Sequence, residues 1–262
     1  MSTKIYIMTD MEGISGVREP FQCDRDHPEW QPARRLLVAD VNAAIEGAFA
    51  GGADEVLVCD GHGSGFNFIL EEMDPRATYE RPNGAADYMP GLDSTFSGVF
   101  QIGAHAMAGT LGGFLDHTQS SAHWFEYRIN GQPCGEIGQV GAWSGHYSVP
   151  VLLVTGDHAA CREAQGFFGS IEVVPVKTGI SRNRARCVHP QITCSAIREA
   201  AARAISLAGQ ITPWQLRPPI EVTLTYTRQD YADAVAHTPG TERLDARTLR
   251  KAVQRGTDIL WF

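Results

Sequence analysis

Two carboxylates near the N-terminus are the first residues whose spacing could do chemistry. Asp10 and Glu12 directly follow a run of strand-forming residues, 5–8. In an extended segment, side chains two residues apart point to the same side, so the two carboxylates can converge on one point. Like charges held this close repel unless a cation lies between them or one group is protonated. The spacing therefore favours a divalent metal ion, and the alternative is a loop with two solvated acids.

Three further predicted strands end in residues that can bind a metal ion. These residues are Asp60 and His62, then His105, then Asp157 and His158. Because the carboxyl ends of parallel strands meet at one edge of a sheet, we expect these side chains to gather there. Mixed carboxylate and imidazole donors suit Zn²⁺, with Mn²⁺, Co²⁺ or Fe²⁺ as alternatives. For a lone histidine such as His105, the alternative is a purely structural role.

Two more candidates lie between residues 115 and 138. His117 follows Asp116 in the segment LDHT, where it could act as an acid or a base. Glu136 is predicted in the first turn of a helix, where the alternative role of a carboxylate is to complement the helix dipole. The glycine-rich segment DGHGSG (60–65) lacks the Lys-Ser/Thr ending of a phosphate-binding loop.

The elements that must position these residues alternate between strands and helices. This pattern predicts an α/β fold, with a mostly parallel sheet flanked by helices and a smaller α+β portion at the C-terminus. The predicted strands are 5–8, 55–59, 78–81, 98–103, 123–129, 149–155, 173–177 and 220–226. The predicted helices are 34–50, 68–73, 136–142, 191–208, 231–237 and 246–254.

The same pattern predicts how the chain divides into regions. We expect a metal-binding α/β catalytic region at residues 1–212, followed by a C-terminal strand-and-helix segment at 213–262. Residues 80–145 are a candidate for a smaller inserted or capping subdomain. The apolar pair Trp261 and Phe262 is expected to dock in the core of the chain or against a neighbouring copy.

Composition and charge indicate which partners and which cellular environment to expect. The chain has 262 residues, 43% of them hydrophobic, and a net charge of −8, so we expect no nucleic-acid partner and no anionic-membrane partner. No apolar run is as long as a membrane span, and the first residues lead into a strand without a secretory segment. The six cysteines are scattered without a CxxC pair. These features favour a cytoplasmic protein with structural thiols.

Five motifs occur in an order that resembles the zinc-dependent D-aminopeptidases of the M55 type, the DppA-like proteins. They are TDMEG (9–13), DGHGSGFN (60–67), GAHAMAG (103–109), LDHT (115–118) and NGQPCGEIG (130–138). The resemblance continues through VPVLLVTGD (149–157) and VKTGISR (176–182) and is less specific beyond about residue 210. DGHGSG departs from the commoner pattern, in which a serine precedes the histidine and a bulkier residue follows the next glycine.

The resemblance implies a site with two zinc ions per chain, with Mn²⁺ or Co²⁺ as alternatives. Its implied ligands are Asp10, Glu12, His62, His105 and Glu136, with Asp10 as the bridging carboxylate. It also implies a catalytic His117, as nucleophile or proton carrier, and we favour a general acid because histidine rarely attacks amides. The candidates for residues that hold the ligands in place are Asp60, Asp116 and Asp157.

The activity implied by the resemblance is that of a metallopeptidase. It would hydrolyse the N-terminal amide bond of small peptides or amino-acid amides, with a preference for D-residues, by means of a metal-activated water. Two Zn²⁺ ions, three carboxylates and a hydroxide would together be close to neutral. The resemblance further implies a homo-oligomer, a decameric ring whose sites face an inner channel.

Two alternatives stay open at this point. One is a metallo-amidase or phosphohydrolase that acts on another small substrate; the acidic chain, with no evident arginine clamp near the motifs, disfavours a phosphate ester. The other is a non-enzymatic metal-binding or solute-binding protein, which leaves His117 without a role because five ligands already fill the metals.

Overall fold

Two β-sheets organise the computed structural model, which describes residues 2–260. Within these residues the strands are β1 (Lys4–Thr9), β2 (Glu55–Asp60), β3 (Thr78–Glu80), β4 (Gly98–Ala104), β5 (Trp124–Ile129), β6 (Gln132–Pro133), β7 (Val151–Asp157), β8 (Glu172–Ser181), β9 (Arg184–Cys187), β10 (Ile220–Tyr226), β11 (Thr241–Arg243) and β12 (Thr248–Val253). The α-helices are α1 (Trp30–Ala50), α2 (Glu136–His146), α3 (His158–Phe168), α4 (Pro190–Ile205) and α5 (Gln229–Val235).

The larger sheet has seven strands in the order β3-β2-β1-β4-β7-β8-β9. All neighbours are parallel except β8 and β9. The chain moves outward from β1 to β2 on one side and from β4 to β7 on the other, so a crevice opens between the loops that follow β1 and β4. The predicted α/β class with a mostly parallel sheet is confirmed.

Alternation along β1 explains why both faces of this sheet are covered. Ile5 and Ile7 point to one face and pack against the apolar sides of α1 and α4. Tyr6 and Met8 point to the other face, where the core includes α2, part of α3 and the inner side of the smaller sheet. Both β4 and β7 are buried along their whole length, as expected for central strands of a parallel sheet.

The smaller sheet is antiparallel and has the order β11-β12-β10-β5-β6. It takes β5 and β6 from the middle of the chain and the other three strands from its C-terminal part. The division into domains at residue 212 stays a prediction. The C-terminal pair Trp261 and Phe262, predicted to dock in a core, lies outside the described residues.

The predicted helix at 246–254 is wrong, because residues 248–253 form β12. Leu249 and Val253 are both buried, and a spacing of four residues suits one face of a helix and one face of a strand alike. Pairing of β12 with β10 decides between the two, since it satisfies the backbone groups of both strands. The predicted helix at 68–73 is reduced to a single 3₁₀ turn at Leu70–Glu72.

Two further observations concern the expected environment of the protein. No helix in the part of the chain that the structure describes combines the length and the apolar character needed to cross a membrane. All six cysteines are free thiols.

Candidate metal centre

The loops that follow β1 and β4 touch each other, and this contact sets the position of the site. The Gly13 N–H donates to the carbonyl oxygen of Gly103 at 2.7 Å. A Cβ on Gly13 would lie 2.1 Å from the Ala104 carbonyl oxygen, so only glycine permits this approach. The contact places Asp10 and His105 side by side at the crevice between the two central strands.

The structure brings all five predicted metal ligands together. Asp10 lies between two imidazoles, with Oδ1 3.0 Å from His62 Nδ1 and Oδ2 3.3 Å from His105 Nε2. Glu12 Oε2 lies 3.0 Å from the same His62 nitrogen. On the other side, Glu136 Oε1 lies 3.4 Å from His105 Nε2. We call these five residues together with His117 the donor cluster.

Each histidine of the donor cluster is fixed by a backbone carbonyl. A carbonyl oxygen only accepts, so the ring nitrogen that faces it carries a hydrogen, and in the neutral ring the other nitrogen has a lone pair. In all three rings that second nitrogen faces the carboxylates, which is how metal-binding histidines are oriented. The pairs are His62 Nε2 with Cys23 O at 3.0 Å, His105 Nδ1 with Ala106 O at 3.0 Å, and His117 Nδ1 with Leu115 O at 2.7 Å.

His117 lies at the edge of the donor cluster. Its ring stacks on that of His105, with the centroids 3.9 Å apart and the planes 12° from parallel. Its Nε2 lies 3.8 Å from Glu136 Oε1, and that oxygen accepts the Gln119 N–H at 2.6 Å. From this place His117 can reach a metal ion or the leaving group of a substrate, so its assignment as a general acid stays a prediction.

Charge and burial make the donor cluster a good fit for divalent cations. Glu12 Oε2 and His105 Nε2 are buried and, among the described residues, make no hydrogen bond. Burial raises the pKa of Glu12, but the imidazole of His62 outweighs it and the net pKa is well below its usual value. Burial lowers the pKa of His105, but Glu136 and Asp10 raise it well above its usual value. Unpaired donor atoms in so negative a site are what a bound cation satisfies.

Two overlapping groups of donor atoms are each compact enough to hold an ion. Asp10, Glu12 and His105 offer one donor atom each within 4.8 Å of one another. The same holds for His105, His117 and Glu136. These are carboxylate oxygens and imidazole nitrogens without thiolates, the donor set that suits Zn²⁺ in catalytic sites.

A fully buried lysine holds the loop that carries Glu12. Lys177 on β8 is 1% exposed, and its Nζ donates to the carbonyl oxygens of Glu12 at 2.6 Å and Val17 at 2.7 Å. The ammonium also lies 5.0 Å from the centre of the Phe114 ring. Burial lowers the pKa of Lys177. The sequence places Lys177 only in a strand, and no local signal points to this long-range contact.

Asp60 and Asp116, predicted as groups that hold the ligands in place, both accept backbone N–H groups. Asp60 accepts the Asn67 N–H at 2.6 Å and the Asn67 side-chain amide at 2.8 Å. That amide also donates to the His62 carbonyl oxygen at 2.9 Å, which closes the loop around the histidine. Asp116 accepts the Gly109 N–H at 2.7 Å and so ties the loop of His105 to the loop of His117.

Asp157 ends β7 and caps α3, a helix that the sequence did not predict. Its carboxylate accepts the Ala160 N–H at 2.8 Å, as a helix N-cap does. The other oxygen accepts the Phe114 N–H at 2.7 Å and fixes the start of the segment that leads to His117. His158 begins α3 and is exposed, so the structure leaves it out of the donor cluster.

A cavity of about 470 Å³ adjoins the donor cluster. Gly61 and Tyr88 line both this cavity and the space beside Asp10 and Glu136, so the two spaces are neighbours. Arg81 forms part of its wall. The fold brings this arginine to the site from the loop after β3, and none of the motifs contains it.

The chain is similar to known proteins along nearly its whole length. The model of the M55 peptidase family, described as D-aminopeptidase, matches residues 3–261. A D-aminopeptidase of Bacillus subtilis (strain 168) is 33% identical over 248 residues, which cover 91% of this chain and 87% of the relative. The fold is similar to that of the Zn-dependent D-aminopeptidase DppA from Bacillus subtilis, a self-compartmentalizing protease, with a TM-score of 0.94 and 28% identity over 98% of this chain and 94% of that one.

The match extends over nearly the whole chain, and the resemblance drawn from the motifs is confirmed. The chain belongs to the M55 peptidase family of D-aminopeptidases.

Proposed function

We propose that this protein is a zinc-dependent D-aminopeptidase that hydrolyses the N-terminal amide bond of short peptides. The observation that carries the proposal is the position of Asp10, with one carboxylate oxygen facing His62 and the other facing His105. A carboxylate shared in this way can serve two ions at once. Zinc dependence and selectivity for D-residues are supported by the names of the Bacillus relatives.

We expect two zinc ions per chain, and the division of the donor atoms into two sets supports this number. Asp10 Oδ1, Glu12 and His62 would hold one ion, and Asp10 Oδ2, His105 and Glu136 would hold the other. Three carboxylates bring a charge of −3 toward the +4 of two zinc ions, so a nucleophilic hydroxide would bring the site close to neutral. Mn²⁺ or Co²⁺ could replace zinc with the same donors.

The residues of the donor cluster would have different roles in amide hydrolysis. Bound Zn²⁺ polarises the scissile carbonyl and lowers the pKa of water from ~15.7 to about 7. His117 would deliver a proton from Nε2 to the leaving amine, because its Nδ1–H is held by the Leu115 carbonyl oxygen. The carboxylate of Glu136 lies 3.8 Å from His117 Nε2, on the side of the ring that faces the donor cluster.

Matched alanyl substrates test the proposal. We expect the purified protein to hydrolyse D-alanyl-p-nitroanilide much faster than the L-alanyl form, to lose this activity on chelation, and to regain it with zinc. Hydrolysis of p-nitrophenyl phosphate in place of both anilides would favour the phosphohydrolase alternative. Full zinc content without turnover of any substrate would favour a binding protein.

The protein would act as a homo-oligomer. A relative described as self-compartmentalizing supports this, and so do large apolar side chains left exposed on the single chain, such as Leu111 at 95% exposure. A decamer of 28.5-kDa chains is the assembly that we expect, and mass photometry would distinguish it from a monomer. The cytoplasmic location predicted from the sequence is part of the proposal.

A further inference from the structure

The cavity beside the donor cluster contains a guanidinium without an acidic partner. Within residues 2–260, no carboxylate lies within ion-pair distance of Arg81. This contrasts with most charged contacts of the chain, where arginines pair with nearby acids on the surface, as Arg250 does with Glu242 at 2.7 Å. A cation left unpaired on a cavity wall is able to bind an anionic group of a ligand.

Arg81 is an exposed residue whose side chain lies against the loop that contains Gly65 and Phe66. Its guanidinium lies over the Phe66 ring, 4.7 Å from the centroid. A Cβ on Gly65 would lie 2.9 Å from Arg81 Cδ, so the glycine leaves room for the side chain to lie against the loop. Arg25 packs on the same ring at 5.5 Å but does not line the cavity. The contact with the ring is a cation–π contact, which leaves the N–H groups of Arg81 available to a ligand.

The cavity wall runs from the donor cluster to Arg81. Gln119, which lines the cavity, donates its backbone N–H to Glu136 Oε1 at 2.6 Å and its side-chain amide to Gln139 at 2.8 Å. A peptide whose first amide bond lies at the metal ligands would therefore extend its remaining residues along Gln119 toward Arg81. A volume of about 470 Å³ suits a small ligand and is too small for a long folded chain.

We infer that Arg81 binds the free C-terminal carboxylate of a short peptide substrate. Guanidinium and carboxylate match in shape and charge, and two parallel N–H···O bonds fix the orientation of the bound group. The protein would therefore select dipeptides and other very short peptides with a free C-terminus over peptide amides. This inference rests on the proposed aminopeptidase function and adds the chemical class of the substrate's far end.

Paired substrates that differ only at the C-terminus test the inference. We would measure kcat/KM for D-Ala-D-Ala, for its C-terminal amide, and for D-alanyl-p-nitroanilide, which has no carboxylate. The native protein should prefer the free acid over the amide by roughly ten- to a hundredfold, the usual effect of a hydrogen bond to a charged group. Arg81→Met should reduce this preference to about one, mainly by raising KM for D-Ala-D-Ala.

Two further variants separate a specific role from a structural one. Arg81→Lys keeps the charge and should restore part of the preference for the free acid. Arg25→Met removes the other arginine on Phe66 and should leave the preference as it is in the native protein. Melting temperatures of the three variants would show that each is folded.

The remaining outcomes overturn the inference in distinguishable ways. An equal rate for acid and amide in the native protein, with the anilide hydrolysed, would overturn the role of Arg81 and leave the proposed function intact. Failure to hydrolyse any peptide or anilide would overturn both. Hydrolysis of p-nitrophenyl phosphate that is lost in Arg81→Met would assign Arg81 to a phosphate ester instead.

Discussion

The donor cluster and the adjoining cavity are built in different ways. Residues of the donor cluster lie at or just after the ends of β1, β2 and β4, on the loop between β4 and β5, and at the start of α2. Backbone carbonyl oxygens fix each of its three histidines. The cavity is lined by loops from distant parts of the chain, residues 61–64, 81–88 and 119–124, together with Leu260. The edge of the larger sheet thus positions the residues that are proposed to bind metal, whereas loops line the cavity that is proposed to select the substrate.

The largest effect should come from the centre of the donor cluster. Asp10→Asn removes the carboxylate that faces both His62 and His105, and we expect the loss of both metal ions and at least about a thousandfold of kcat. Asp54→Asn, at the opposite end of the same sheet, is the matched control and should keep activity. An Asp10→Asn protein with native turnover would show that the donor cluster is not the active site.

His117→Ala should give the next largest effect. We expect kcat to fall about a hundred- to ten-thousandfold, the usual contribution of a general acid, while the metal content stays the same. Elemental analysis measures the metal content, and a rate measurement on the same sample measures kcat. If metal is lost together with activity, His117 is a ligand, as its place beside His105 and Glu136 also allows.

Lys177→Met tests how far the donor cluster depends on residues around it, because Lys177 contacts neither the proposed metal ions nor the cavity. It removes the donor to the Glu12 and Val17 carbonyl oxygens, so the loop that carries Glu12 loses its anchor. We expect zinc affinity to fall about tenfold, as when other groups that orient a metal ligand are removed, with kcat at saturating zinc nearly unchanged. Competition with a chelator measures the affinity, and Lys251→Met on β12 is the control.

Glu163→Gln should have the smallest effect on activity and a clear effect on stability. Glu163 accepts the Met107 N–H at 2.8 Å behind the donor cluster, and burial raises its pKa from 4.5 to about 7. Its protonated form stabilises the folded state, and this contribution is complete below about pH 4.5 and is lost as the pH rises through about 7.

Removing the charge should therefore stabilise the protein only at high pH. We expect Glu163→Gln to raise the free energy of unfolding at pH 8 by up to about 3 kcal/mol and to change little at pH 4.5. Melting curves at both pH values test this, with the exposed Glu199→Gln as control. An equal effect at both pH values would contradict a raised pKa for Glu163.

Part of the donor cluster could be predicted from the sequence, because the positions of its residues follow from spacing within a strand and from where parallel strands end. Asp10 and Glu12 share one side of an extended segment, and the ends of parallel strands meet at one edge, so side chains far apart in sequence gather there. Glu136 and His117 needed the resemblance to a family, since a glutamate in a first helical turn and a lone histidine have ordinary structural explanations.

Long-range contacts explain what could not be predicted. Arg81 lies in none of the motifs, and Lys177 lies in VKTGISR, which assigns it no role. Only the folded chain shows that Arg81 reaches the cavity and that Lys177 reaches the carbonyl oxygen of Glu12. Residues 246–254 were predicted as a helix because Leu249 and Val253 fit either period, and pairing with β10 made them a strand.

The number of metal ions per chain tests the central claim most directly. Elemental analysis and native mass spectrometry should find two zinc ions per chain in the native protein, one in Glu12→Gln, one in Glu136→Gln and none in Asp10→Asn. This pattern would establish Asp10 as the carboxylate shared by two ions. A single ion in the native protein that is lost equally in all three variants would contradict the dinuclear site.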